Sequence, residues 1–159
     1  MTKKTAYLGL FTAVAVIFGY VEAMIPVFAG IPGIKLGLAN LAVLFILKKY
    51  SWKEAALVSL CRILIIGFMF GNMFSIVYSV AGAALSLTVM TLICRFTDFS
   101  MIGISVAGGI SHNVGQLAIA MLIVENFHLI YYAPALLVSG VVTGVVIGIL
   151  TSETAKRIP

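Results

Sequence analysis

Six polar or ionisable side chains interrupt the apolar stretches of this sequence, and they are its first candidates for binding chemistry. They are Glu22, Asn40, Arg62, His112, Asn113 and Gln116. His112 and Gln116 are spaced i, i+4, which places them on one face of a helix, with Asn113 beside Gln116 at i, i+3. Each of these groups is costly in lipid, so we expect all of them to face the interior of the protein.

Arg62 needs an anionic partner, because a guanidinium inside an apolar run stays charged. The partner is either Glu22 or a carboxylate or phosphate of a ligand. The binding hypothesis assigns the charge of a partly anionic small molecule to Arg62 and Lys35. It assigns hydrogen bonds to that ligand to Asn40, Asn72, His112, Asn113 and Gln116. The structural alternative pairs Arg62 with Glu22 and uses the amides to bridge helices.

The composition indicates that lipid surrounds most of the chain. Apolar residues make up 62% and charged residues 9% of it, against roughly 45–50% and about 25% in soluble domains. A helix needs about 20 residues to cross a membrane, so 159 residues suffice for six spans and little else. We expect a single transmembrane domain over residues 1–159.

Apolar runs bounded by charged or turn residues locate these spans. They are Thr5 to Val27, Leu36 to Leu47, Ala55 to Phe70, Met73 to Cys94, Met101 to Val124, and Leu129 to Leu150. The connectors between them are very short. The predicted fold is an all-α membrane protein, a compact bundle of six transmembrane helices.

Basic residues collect on one side of the predicted spans. Eight of the ten lie there: Lys3, Lys4, Lys48, Lys49, Lys53, Arg95, Lys156 and Arg157. Cytoplasmic loops carry such an excess of lysine and arginine. We therefore expect a multi-pass protein of a prokaryotic cell membrane with both termini in the cytoplasm. The net charge of +5 is then a topological signal rather than a sign of nucleic-acid binding.

The second span is too short to cross the membrane as a helix. Its apolar run covers about 12 residues, or roughly 18 Å. The segment before it, Ala29 to Lys35, is rich in glycine and proline, and irregular backbone at membrane depth requires protein or a water-filled cavity around it. We expect an outward-facing cavity capped by this segment; a long first helix with a tilted second helix is the alternative.

Small residues recur at four-residue spacing in the first and last spans. The ridges are Gly9 and Ala13, then Ala15, Gly19 and Ala23, and finally Gly140, Gly144 and Gly148. Such ridges allow helix backbones to approach closely. They serve either packing within the bundle or docking against another membrane subunit, and the sequence alone does not separate the two.

Absent motifs exclude several functions. The chain has no G-x-x-x-x-G-K-[ST] loop, so any ATP-driven role requires a partner. Cys61 and Cys94 belong to no metal or disulfide motif, and His112 and His128 are roughly 24 Å apart along a helix. We expect neither a metal nor a cofactor.

Three segments carry a family resemblance: Gly33 to Asn40, Arg62 through Asn72 with Ser75, and Ser111 to Asn113 with Gln116. They resemble the Gx transporter family, often labelled heptaprenyl diphosphate synthase component I. That family is grouped with the S-components of energy-coupling factor (ECF) transporters. The resemblance implies a six-helix protein that captures a scarce nutrient near the outer surface and works with a coupling subunit and ATPases. It also implies that Gly9, Ala13 and Ala15 contact the coupling subunit.

Catalysis by this chain is not expected, despite the synthase label. Prenyl diphosphate synthases hold magnesium and diphosphate with aspartate-rich clusters, whereas Asp98 is the single aspartate here. The leading hypothesis is an S-component-like subunit for uptake of a vitamin, flavin or isoprenoid/quinone-related precursor. One alternative is a non-catalytic membrane subunit for isoprenoid or quinone biosynthesis or an extracellular electron-transfer assembly. Another is a proton-coupled carrier that uses Glu22 and His112.

Overall fold

The computed structural model describes residues 3–24 and 37–157. Within these ranges the chain forms α-helices and one 3₁₀ segment. Their bounds are α1 Lys3–Met24, α2 Leu38–Lys49, α3 Trp52–Phe70, α4 Met73–Phe96, α5 Met101–Val124, the 3₁₀ segment Phe127–Tyr132 and α6 Ala133–Arg157. The all-α prediction is confirmed.

Four stretches of the described chain are long and apolar enough to cross a membrane. They are Lys4–Met24, Met73–Phe96, Met101–Val124 and Phe127–Arg157. These stretches identify a membrane protein. The second and third predicted spans form helices too, but α2 has 12 residues and α3 carries Lys53, Glu54 and Arg62. A bundle of six spans therefore stays a prediction.

The sixth predicted span, Leu129 to Leu150, begins in the 3₁₀ segment and ends before the helix does. The helix continues through the polar residues that follow, to Arg157. Apolarity marks where a helix leaves lipid, not where its backbone hydrogen bonds stop. Lys156 donates to the Glu153 carboxylate at 2.6 Å one turn away, an arrangement that stabilises an exposed helix end.

Side-chain caps explain why the connectors are short. Asn72 Oδ1 accepts a hydrogen bond from the backbone N–H of Ser75 at 2.8 Å at the start of α4. Ser100 Oγ accepts one from Gly103 N at 3.3 Å at the start of α5. A cap satisfies amide groups that have no partner within the helix, so each helix can begin a few residues after the previous one ends.

Helix α2 is the most enclosed element. Its residues from Ala42 to Leu47 are all buried, and Phe45 stacks on Phe11 of α1 with ring centroids 4.6 Å apart. The helix starts after Gly37, whose φ of 73° suits glycine. The carboxylate of Glu22 accepts a hydrogen bond from Leu38 N at 2.8 Å, so α1 caps α2.

The ends of the helices that carry the lysines and arginines meet at one end of the bundle, here called the basic end. Lys4 of α1 forms an ion pair with Glu54 of α3, and Ser51 also donates to that carboxylate. These hydrogen bonds, that from Lys4 foremost, lower the pKa of Glu54 to about 2. The first and third helices therefore start side by side.

Glycines bring α6 into backbone contact with α5. A Cβ added at Gly144 would lie 2.6 Å from the Cα of Val106, and one at Gly148 would lie 2.6 Å from the Cα of Ile102. Both distances are shorter than real Cβ contacts. The glycine ridge of α6 is therefore used for packing within the bundle, which is one of the two alternatives that the sequence left open.

Replacing Gly144 with alanine should destabilise the protein, because the α5 backbone at Val106 cannot move aside as a side chain can. We expect Gly144→Ala to cost about 1–3 kcal/mol, measured as a lower midpoint of thermal unfolding in detergent. Gly9→Ala is the matched control, since a Cβ there meets no atom within 4 Å. Equal stability of the two variants would contradict the backbone contact.

Candidate functional site

Two cavities lie at the end of the bundle opposite the basic end. The larger, about 660 Å³, lies between α4, α5, the 3₁₀ segment and the start of α6. The smaller, about 230 Å³, lies between α1, α3 and the start of α4. At 12 residues α2 is about 18 Å long, against about 36 Å for the 24 residues of α4. Helix α2 therefore packs along only part of the bundle, and the two cavities lie at the other end.

The larger cavity is apolar with a polar edge. Its polar side chains come from α4, α5 and the 3₁₀ segment, and they are Asn72, Ser75, Tyr78, Ser79, Gln116 and Tyr132. Leu117, Ala120 and Leu136 are among its apolar lining residues. A volume of this size and a lining of this kind are typical of small-molecule sites.

The smaller cavity contains the buried charges. Glu22 and Arg62 both line it, and the carboxylate attracts the guanidinium electrostatically. Arg62 Nε is nevertheless buried without a hydrogen bond to any part of the described chain. The two charges predicted by the structural alternative to pair share this cavity, and one N–H donor of Arg62 is left without a partner among the described residues.

Gln116 and His112, which were predicted to share one helical face, both lie against α4. A Cβ at Gly82 would be 2.7 Å from Gln116 Cγ and 3.1 Å from His112 Cε1. Gln116 is buried and lines the larger cavity. His112 is partly buried one turn nearer the basic end and is not among the residues that line either cavity.

Asn113 bridges two helices instead of facing a cavity. Its Nδ2 donates to the carbonyl oxygen of Leu136 at 2.7 Å and to Ser139 Oγ at 3.3 Å. Both acceptors belong to α6. The amide is therefore committed to holding α5 against α6, as the structural alternative expected for the amides.

The other predicted binding residues are dispersed. Asn72 lines the larger cavity while it caps α4. Asn40 borders a separate void of about 20 Å³ between α2, α4, α5 and α6, which has room for a water molecule at most. Lys35 and the predicted capping segment Ala29 to Lys35 lie outside the described residues.

The residues predicted to contact a partner subunit differ in their exposure. Gly9 and Ala13 are exposed on α1, whereas Ala15 is fully buried in the chain's own core. In this conformation Ala15 packs against other helices of the same chain. Gly9 and Ala13 stay available.

Ser75 and Ser79 are site residues that the sequence-based prediction missed. Each lines both cavities. Their i, i+4 spacing puts two small hydroxyl groups on one face of α4, and this spacing is the signal that could have found them. Serine is common in membrane helices, where it bonds to its own backbone or to neighbouring helices, so the spacing alone was not distinctive.

Metal ligation receives no support within the described ranges. No group of three or more His, Cys, Asp or Glu side chains there is close enough to hold an ion. The cavities present hydroxyl, amide, phenol and guanidinium groups together with the Glu22 carboxylate, and such groups suit hydrogen bonding to an organic ligand.

The helices and cavities together define a helical membrane protein with space for a small molecule between its helices. The chain belongs to the family described as heptaprenyl diphosphate synthase component I, whose family model matches residues 11–154. No curated protein and no solved structure matches the chain. The family description names a component of a larger assembly.

Removing the Asn113 amide should loosen the α5–α6 contact. We expect Asn113→Ala to cost about 0.6 to 1.7 kcal/mol, the range for hydrogen bonds between membrane helices, seen as a lower unfolding midpoint in lipid nanodiscs. Val114→Ala is the control, because Val114 is exposed on the same helix and has no polar contact to lose. If both variants unfold at the same temperature, the bridge contributes nothing.

Proposed function

We propose that this chain is the substrate-binding membrane subunit of an ATP-driven uptake transporter, related to the S-components of ECF transporters. Its ligand would be a small, partly anionic vitamin, flavin or isoprenoid/quinone-related precursor. The observation that carries the proposal is the pair of cavities at the end opposite the basic end, with Arg62 in one of them. By the positive-inside rule that end faces outward, where a solute would arrive.

The proposal includes an orientation and partners. Six helices would span the cell membrane of a prokaryote, with both termini in the cytoplasm. The sequence contains no nucleotide-binding loop, so an ECF coupling subunit and ATPase subunits would supply the energy. Exposed Gly9 and Ala13 would offer a close approach for the coupling subunit.

The proposal assigns no catalytic step to this chain. Asp98 is the only aspartate, and it lies in the connector between α4 and α5 at the basic end. Metal-assisted loss of diphosphate requires several carboxylates around the metal ions, and Asp98 has no acidic neighbour in that connector.

The family description favours a second candidate function. A component of a heptaprenyl diphosphate synthase could be a non-catalytic membrane subunit that holds an isoprenoid or quinone enzyme, or an extracellular electron-transfer assembly, at the bilayer. In that case the polar residues between the helices only stabilise the bundle. The two candidates differ in whether the purified chain binds a small solute.

The orientation predicts which residues a membrane-impermeant maleimide reaches in intact cells. With Cys61 and Cys94 replaced by alanine, Tyr131→Cys in the 3₁₀ segment should be labelled, because Tyr131 is 79% exposed at the outward end. Asp98→Cys, exposed at the basic end, is the control and should react only after permeabilisation. The reverse pattern would place the cavities on the cytoplasmic side.

Solute capture predicts binding by the purified chain and uptake with its partners. Calorimetry with a flavin, a B vitamin, a prenyl diphosphate and a quinone precursor should identify a ligand. Arg62→Gln should weaken its binding at least about tenfold, or about 1.4 kcal/mol, through loss of the charge interaction. Thr88→Ala, exposed on α4 away from both cavities, is the control.

Uptake by proteoliposomes should then require ATP and copurifying coupling and ATPase subunits. Accumulation without any ATPase would instead favour a proton-coupled carrier. A chain that binds none of these solutes and copurifies with no coupling subunit would refute the proposed function.

A further inference from the structure

The two cavities share two lining residues on one face of α4. Ser75 and Ser79 contribute to the lining of both, and as residues i and i+4 they lie about 6 Å apart along the helix. Serine has one of the smallest polar side chains. A ligand group therefore meets little bulk where it would pass from one cavity to the other.

The chemistry on the two sides of these serines differs. The smaller cavity has the Arg62 guanidinium and the Glu22 carboxylate. The larger has leucine, isoleucine and alanine side chains together with two tyrosines, Tyr78 and Tyr132. One side suits a charged group that forms hydrogen bonds, and the other suits an apolar or aromatic body.

Arg62 retains donor capacity for a ligand even beside Glu22. A guanidinium has five N–H donors, while the Glu22 carboxylate already accepts a hydrogen bond from Leu38 N at 2.8 Å. The buried Nε of Arg62 makes no hydrogen bond with the described chain. An unsatisfied buried donor of a charged group is costly, so an anionic acceptor in this cavity would be stabilised.

We propose that the two cavities form one two-part site for an amphiphile. The anionic group of this ligand lies at Arg62 in the smaller cavity. Its apolar or aromatic body lies in the larger cavity, and the link between them passes over Ser75 and Ser79. These serines determine specificity by leaving room for the link. The inference rests on the proposed function only in that the chain binds a small molecule.

A ligand that occupies only one of the two cavities would not use all the groups that line them. An apolar ligand confined to the larger cavity would leave the Arg62 Nε without an acceptor. A small anion confined to the smaller cavity would leave about 660 Å³ of apolar space unfilled. A joined molecule satisfies both regions, and it loses its translational freedom only once.

The test compares a joined probe with its parts on the full chain in nanodiscs. The probes are farnesyl diphosphate, farnesol and inorganic diphosphate. Farnesyl diphosphate should bind at least about tenfold more tightly than either part, a difference of about 1.4 kcal/mol. Arg62→Gln should reduce its affinity to that of farnesol and leave farnesol binding unchanged.

Ser79→Leu tests the passage between the cavities. It should weaken farnesyl diphosphate at least about tenfold and farnesol by clearly less, because farnesol has no anionic group that must reach the smaller cavity past Ser79. Thr88→Leu places the same leucine side chain on α4 at an exposed position and should change neither. If Ser79→Leu fails to fold, Ser79→Val takes its place.

The inference is overturned if farnesyl diphosphate binds no better than farnesol, or if Ser79→Leu has no more effect than Thr88→Leu. Binding of none of the probes also overturns it for this ligand class. These outcomes are separate from the fate of the proposed function, which uptake decides. If a ligand is transported equally well with Ser79→Leu, the two-part site is refuted and the transport role is not. If binding depends on Ser79 but no uptake occurs, the transport role is refuted and the two-part site is not.

Discussion

The arrangement of this protein depends on backbone contact between α5 and its two neighbours. Gly144 and Gly148 of α6 approach α5 so closely that added Cβ atoms would collide with its backbone, and a Cβ at Gly140 would lie 3.1 Å from Asn113 Nδ2. On the other side, a Cβ at Gly82 of α4 would lie 2.8 Å from the carbonyl oxygen of His112. In a membrane, van der Waals contact of this kind replaces the hydrophobic driving force between helices. The position of Gln116 and the shape of the larger cavity both follow from it.

The short second helix leaves one end of the bundle less tightly filled than the other. Helix α2 fills the interior near the basic end, where its residues from Ala42 to Leu47 are buried, but it begins only at Leu38. Polar groups gather beyond its start: Glu22 caps it, and Arg62 lines the cavity beside Glu22. A charge within a membrane bundle is expensive and usually functional, so its location beside a cavity supports a binding role.

The family description and the proposed transport role are compatible in chemical terms. The family description names a heptaprenyl diphosphate synthase component, and a prenyl diphosphate has an anionic head and an apolar chain. The two cavities show a similar contrast, because one contains the charged Arg62 and the other contains the apolar Leu117 and Leu136. A membrane subunit that binds such a molecule could serve either uptake or biosynthesis, which is why direct binding and energised transport are separate questions.

The sequence by itself determined the membrane environment, the helices and the enrichment of basic residues at one end. Apolar runs, caps and charges are local properties, so α5 was predicted with its observed bounds, Met101–Val124. Sequence also selected Arg62 and Gln116 as interior residues. Only the tertiary structure decided that Asn113 bonds to α6, that Asn40 borders a void too small for a solute, that Ala15 is buried and that Ser75 and Ser79 each line two cavities. Those outcomes depend on distances between helices, which the glycine contacts set and which no local pattern contains.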